Sequence, residues 1–227
     1  MNFEGLKHHS DKVILAKVTS RERPQTLEST IKKYIELAVD IDKMVWLFTC
    51  DSDDTDTINV CQNFEFKNKV VVFGFSQNKI HAINSDVEVV EKWDILLNIS
   101  DDQIPVVKGY DDIIRRTMPN DLDASLWFSD GWQNRINTQE IVGRKYYERF
   151  NYIYNPLYKS FFCDNESTEV ARKLGKSIYT NKCIIKHFHP GWDKSSHIKR
   201  DALYNKNDKY WKHDEDMFNF RKEQGFI

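Results

Sequence analysis

KVILAKVTSRERP, Lys12 to Pro24, is the stretch whose reading decides the fold. Lys12–Val18 (KVILAKV) is apolar and rich in β-branched residues, which predicts a strand. Thr19–Pro24 (TSRERP) is a charged loop closed by proline. Beyond Pro24 the apolar positions Leu27, Ile31, Tyr34, Ile35 and Ala38 recur at three- and four-residue intervals, which gathers them on one helical face. The unit is strand, charged loop, helix.

The unit repeats. Met44–Thr49 (MVWLFT) reads as a strand ending in CDSDDTD, with a short helix over Thr57–Phe64. Val70–Phe75 (VVVFGF) reads as a third buried strand, and SQNKIHAINSDVEVVEKW as the loop and helix after it. Asp94–Ser100 (DILLNIS) is a fourth strand running into Asp101 and Asp102. Strands apolar on both faces, alternating with helices, predict an α/β fold with a mostly parallel sheet between helical layers. Further on, Ala124–Phe128 (ASLWF) and Ser177–Lys186 (SIYTNKCIIK) read as strands, Ser167–Leu174 as a helix closed by Gly175, and Asp201–Phe226 as one amphipathic helix lying back on the domain.

Parallel sheets bind ligands beyond the carboxyl ends of their strands, where the connecting loops converge. TSRER, DSDD, SQNK and SDDQ follow the four strands in turn. Four apolar strands that each deliver polar side chains to one edge mark that edge as a binding face.

The composition narrows the class. At 227 residues and 27.0 kDa the chain makes one generous domain, and 30% charged residues with a mean hydropathy of -0.64 argue for a water-soluble protein. A net charge of -2 and a pI near 6.4 exclude a global basic field for nonspecific nucleic-acid binding. No apolar run is long enough to cross a bilayer, so no membrane insertion is expected. MNFEGLKHHSDK lacks the apolar core of a signal peptide, which makes the cytoplasm the expected location. Cys50, Cys61, Cys163 and Cys183 have no metal-site spacing and read as small buried apolar residues.

Within the polar clusters, adjacent carboxylates at Asp101 and Asp102 repel unless a cation neutralises them, and a hard divalent ion such as Mn²⁺ or Mg²⁺ suits them; a turn or helix cap is the competing reading. His187 and His189, in KHFHPGW, alternate on an extended segment, so without a bend only one of them can reach an ion. Arg21 and Arg23 are suited to phosphate oxygens, and Lys79 occupies the corresponding loop after the third strand. Asp164 and Glu166, in FFCDNESTE, are candidates for a general base, or for capping the helix that follows. Of the many aromatics, Trp132 in SDGWQN is the best candidate for exposure, and loop 128–138, with Asp130 and Trp132, is the expected acceptor contact.

The ordered set TSRERP, CDSDD, NKIHAIN, ISDDQIP, CDNE and KHFHP, from Val13 to Trp192, resembles the family 2 glycosyltransferases of the GT-A fold. The resemblance implies a Rossmann-like sheet flanked by helices, a nucleotide-sugar donor, commonly a UDP-sugar, and a Mn²⁺ or Mg²⁺ ion. It implies that Thr19, Arg21, Arg23 and Asp51 to Asp53 hold the donor with Lys79, Asn84 and Asp101, and that Asp102, Asp101 and His187 form the metal site. Ile99 stands where the family's DxD motif has its first aspartate. CDNE is similar to the family's ED-type motif, implying Asp164 as base and inversion at the anomeric carbon.

The implied layout is a single domain over 1–227: an extension at 1–11, a nucleotide-binding half at about 12–105, an acceptor and catalytic half at about 106–192, and a helical tail at about 193–227. The compact length also resembles the short transferases of tailed phages, which makes a hydroxymethylated pyrimidine in DNA one expected acceptor and a glycan the other. Two rivals remain: a nucleotide-sugar-binding protein without catalysis, and a nucleotidyltransferase. The second needs a glycine-rich phosphate loop, and TSRERP contains no glycine.

Overall fold

The computed structural model describes residues 11–191 and 200–226. In chain order the elements are β1 (Ile14–Thr19), α1 (Pro24–Leu37), β2 (Met44–Asp51), α2 (Thr55–Asn63), β3 (Lys69–Gly74), α3 (Lys79–Asn84), β4 (Ile95–Ile99) and β5 (Gln103–Pro105). There follow α4 (Tyr110–Thr117), β6 (Ser125–Phe128), β7 (Ile141–Gly143), α5 (Arg144–Tyr147), α6 (Cys163–Lys173), β8 (Ser177–Thr180), β9 (Ile185–His187), α7 (Ala202–Asp208) and α8 (Trp211–Glu223).

Seven strands form one sheet in the order β3-β2-β1-β4-β7-β6-β8. The first four are parallel, β7 runs antiparallel to both β4 and β6, and β8 is parallel to β6. Alternation along β1 separates two cores. Ile14, Ala16 and Val18 pack with Leu27, Ile31 and Tyr34 of α1 on one face, while Leu15 joins Leu47, Leu96, Ile80 and Ile83 on the other. Helices therefore cover both faces, and the expected helix-flanked, Rossmann-like architecture is observed.

β1 lies between β2 and β4, so the chain leaves β1 toward one side of the sheet and later returns on the other. The loops after β1 and β4 meet at this reversal of strand order, the place where open sheets of this kind bind ligands. A second sheet of two short antiparallel strands, β5 and β9, stands at this end, with Gln103 opposite His187.

Several expectations need correction. β3 is the half-buried edge strand rather than a buried one, with Phe73 exposed. The stretch Ser177–Lys186 is not one strand: it breaks after Thr180 and resumes at Ile185, in a different sheet. The tail holds two helices, parted at Lys209–Tyr210, instead of one. The strands are also not wholly apolar, because Lys17 in β1 and Asn98 in β4 are buried. Lys17 Nζ donates to Thr49 Oγ1, whose hydroxyl donates to Asp86 Oδ2 at 2.7 Å. Burial pushes the Lys17 ammonium down to about 7 despite the nearby Asp86 charge.

Among the described residues no helix is long and apolar enough to cross a membrane. Cys50, Cys61 and Cys163 are buried and Cys183 is half-buried; all four are free thiols.

Candidate active site

This strand-end region is furnished from both sides. After β4 the chain turns at Asp101 and Asp102, both buried. Asp101 faces the loop after β1: its Oδ2 accepts from Ser20 Oγ at 2.6 Å and its Oδ1 from Arg23 Nη1 at 3.1 Å. Burial, and next the neighbouring Asp102 charge, push the Asp101 carboxyl up, with Arg23 pulling the other way.

Asp102 faces the second sheet. Phe188 N donates to Asp102 O at 2.8 Å, and this bond, with the β5–β9 pairing, brings His187 Nε2 within 3.4 Å of Asp102 Oδ2. Burial disfavours the Asp102 carboxylate, but the adjacent imidazole prevails and holds it well below the usual carboxylate range. For His187 burial works toward the neutral form, and the Asp102 charge outweighs it to raise the imidazole.

The chain turns just beyond β9, so the two histidine rings are 5.5 Å apart instead of on opposite sides. His189 is pushed down to about 4 by burial and by His187. Its Nδ1 accepts from Gly191 N at 3.1 Å.

Whether these groups suit a divalent ion can be tested on their donor atoms. Among the described residues no group of three or more His, Cys, Asp and Glu side chains is gathered for a metal. Asp102 Oδ1, however, is buried without a hydrogen-bond partner among those residues, which is costly for a carboxylate oxygen. One such oxygen beside an imidazole supplies two protein donors, and an ion that also binds phosphate needs few more. The pair offers two donors of the kind a divalent ion takes.

At the ends of β1 and β2, Thr19 pairs in register with Thr49. Arg21 Nη1 donates to Asp51 Oδ2 at 2.6 Å, and the guanidinium grips Asp53 with two bonds of 2.7 and 2.8 Å. Asp51 Oδ1 accepts from Ser76 N at 2.6 Å, which ties the loop after β3 into the same group. Arg23 is bound through Nε and Nη2 to Asp201, at 2.6 and 2.8 Å.

Lys79 is the first residue of α3 and is exposed, with no hydrogen bond or ion pair among the described residues. Its charge acts on Asp102, His187 and Asp164. Asp164 lies in the first turn of α6. Lost hydration raises its carboxyl above the ordinary aspartate value, while the Asn165 N–H and the charges of Lys79 and His187 oppose the rise.

Four expected site residues spend their side chains elsewhere, in whole or in part. Glu166 is buried and accepts from Asn155 Nδ2, Tyr158 Oη and the Arg221 guanidinium at 2.7 to 3.2 Å. Asn84 is used by backbone, donating to Tyr154 O and accepting from Ile153 N and Tyr154 N. The Asp130 carboxylate organises its own loop, accepting from the backbone N–H groups of Trp132 and Gln133, from Gln133 Nε2 and from Thr138 Oγ1. Trp132 is 44% exposed, and its Nε1 donates to His187 O at 3.0 Å, so the expected aromatic surface adjoins the site.

Other residues at the site carried no sequence signal. Ser20 and Tyr204 touch the aspartate pair, Tyr204 Oη donating to Asp102 Oδ2 at 3.1 Å. Asp214 of α8 is fully buried and accepts from three successive backbone N–H groups, Lys159, Ser160 and Phe161, at 2.8 to 3.0 Å. That loop leads into α6, and Lys159 O accepts from Ile80 N, so Asp214 braces the starts of both α3 and α6. A buried aspartate in a charged helix is indistinguishable by sequence from its solvated neighbours.

No protein-family model matches the sequence, and no curated protein matches it significantly. Solved structures do match in fold. A mannosyltransferase from Pyrobaculum calidifontis, solved with GDP-Man and Mn²⁺, superposes with a TM-score of 0.63 at 9% identity over 80% of this chain and 57% of its own. The chain thus spans little more than half of that transferase. A 4-diphosphocytidyl-2C-methyl-D-erythritol synthase from Anaerococcus prevotii gives 0.52 at 14% identity, over 78% of this chain and 90% of its own. Glucosyl-3-phosphoglycerate synthase from Mycobacterium tuberculosis, solved with Mn²⁺, UDP and phosphoglyceric acid, gives 0.53 at 14%, over 78% and 70%.

The chain has the GT-A-like fold shared by nucleotide-sugar transferases and nucleotidyltransferases. At such low identities the likeness extends to the fold alone.

Proposed function

We propose that the protein is a metal-dependent, inverting glycosyltransferase that moves a sugar from a nucleoside-diphosphate donor, a UDP-sugar in the first instance, to a hydroxyl group. The observation that carries this reading is the meeting of Asp102 and His187 at the reversal of strand order, with Arg21, Arg23 and Lys79 around it. Asp102 and His187 would hold Mn²⁺ or Mg²⁺, and the ion's contribution is to neutralise charge on the departing diphosphate.

The chain's own cations share that task. Arg23 and Lys79 bind phosphate oxygens, with Asp101 orienting Arg23, and they favour the transition state because negative charge grows there as the sugar leaves. Arg21, with Asp51 and Asp53, frames the nucleoside. Asp164 takes the proton of the acceptor hydroxyl as its oxygen bonds to the anomeric carbon and the bond from that carbon to the diphosphate oxygen breaks. Its raised pKa suits that role. A small pocket of about 10 Å³, room for a single water, is lined by Gln103, Phe128, Gln139 and His187 close to Trp132. The acceptor is a glycan hydroxyl or a hydroxymethylated pyrimidine in DNA.

A nucleotidyltransferase shares the fold, but the loop after β1 has no glycine with which to wrap a triphosphate. Screening UDP-, GDP- and CDP-sugars by thermal shift, with and without Mn²⁺, tests the proposal. Stabilisation by a sugar nucleotide only when Mn²⁺ is present, followed by slow donor hydrolysis, is the expected result. Stabilisation by CTP with release of pyrophosphate would move the protein to the other class.

A further inference from the structure

The helix α7 lies across the candidate site and is held there by side chains that the donor itself would use. Asp201, its N-cap, binds Arg23 through two charge-assisted bonds of 2.6 and 2.8 Å. Tyr204, one turn on, stacks its ring 4.4 Å from the same guanidinium and donates its hydroxyl to Asp102 Oδ2. The ring also meets His189 edge-on at 5.4 Å. Lys206 completes the attachment with bonds of 2.6 and 2.8 Å to the Glu22 carboxylate, between the two arginines.

These contacts imitate a ligand. A carboxylate forked onto a guanidinium makes the same pair of parallel bonds as a phosphate. The Tyr204 hydroxyl rests on Asp102 Oδ2, the oxygen nearest His187, and so holds the same carboxylate whose other oxygen, Oδ1, a metal would take. Every one of these interactions joins α7 to residues 22–23, 102 or 189.

We propose that α7 is an autoinhibitory strap in which Asp201 stands in for a donor phosphate on Arg23 and Tyr204 ties down the Asp102 carboxylate through Oδ2. The proposal rests on the donor-site reading above. Donor and strap compete for one guanidinium, so the donor's apparent affinity is reduced by the fraction of molecules with the strap in place. Binding of the donor exchanges one anion for another on Arg23 and frees α7.

The test uses the full chain, its D201N/Y204F variant, and UDP and GDP as probes in the presence of Mn²⁺. Calorimetry is expected to give about tenfold tighter nucleotide binding to the variant, since a neutral amide and a phenyl ring compete less well. In the unaltered protein, hydrogen exchange over 202–208 is expected to quicken when nucleotide and Mn²⁺ saturate. Equal or weaker binding by the variant, or slower exchange over α7 on saturation, overturns the strap while leaving the donor site standing. Failure of both proteins to bind either nucleotide overturns the donor-site reading, and the strap with it. Circular dichroism of the variant confirms that it is folded, and the exchange measurement needs no substitution.

Discussion

His187 Nε2 stands 3.4 Å from Asp102 Oδ2 because Phe188 N, one residue beyond the imidazole, donates to the carbonyl of Asp102. The backbone bond therefore sets the side-chain pair. Replacing Asp102 by Ala is expected to weaken Mn²⁺-supported nucleotide binding 10- to 100-fold, with H187A losing a comparable factor. Calorimetric affinities that do not change in either variant would remove the pair from the site.

Asp164 is expected to be indispensable for transfer and dispensable for donor binding. D164N should lower turnover by about 10²- to 10⁴-fold with nucleotide affinity nearly unchanged. Because the carboxyl is raised above its ordinary value of 3.8, the active, deprotonated form is depleted as pH falls through that raised pKa. Turnover should therefore decline on the acid side earlier than for an ordinary aspartate. An acid limb set by an unshifted carboxylate would argue for another base.

The buried Lys17 makes stability depend on pH in a definite direction. Its pKa is depressed to about 7 in the fold from 10.5 in the open chain, so between these values the unfolded state binds the extra proton. Its neutral form costs the fold little above pH 10.5, and stability is lost progressively as pH falls from there to about 7. K17M should stabilise the fold at pH 7 by on the order of a few kcal/mol, seen as a higher melting temperature, and the gain should shrink toward pH 10. Melting curves at several pH values check both the sign and the slope.

Removing Arg221 leaves the Glu166 carboxylate buried with only Asn155 and Tyr158. R221M is expected to destabilise the protein by about 3 kcal/mol. D214A, which strips the acceptor from three backbone N–H groups, should cost at least as much. Urea unfolding measures both, and losses below about 1 kcal/mol would show that water replaces these partners freely.

The first four strands were legible because each is an apolar run followed by a polar loop, and parallel strands buried on both faces demand that pattern. The three-residue strands β5 and β9 were not, since Gln103–Pro105 and Ile185–His187 are too short to show a period. Their pairing is what gathers Asp102 and His187, so the site's central contact followed from resemblance and never from periodicity. Residue type alone also does not show which side chains are already committed. Glu166, Asn84 and Asp130 have the right chemistry, yet their hydrogen bonds are spent on Arg221, on the 153–154 backbone and on loop 130–138. Tyr204 and Asp201 are an ordinary aromatic and an ordinary helix cap until the fold lays them on Arg23.

Asp214 and Arg221 reach back from α8 to the loop before α6 and to Glu166 within it. During synthesis the first half of the sheet can therefore pair well before the segment carrying Asp164 acquires its brace. On the proposed reading, a nascent chain halted before residue 214 would hold the donor side of the site without the braced base, so donor affinity is expected to mature earlier on the ribosome than turnover.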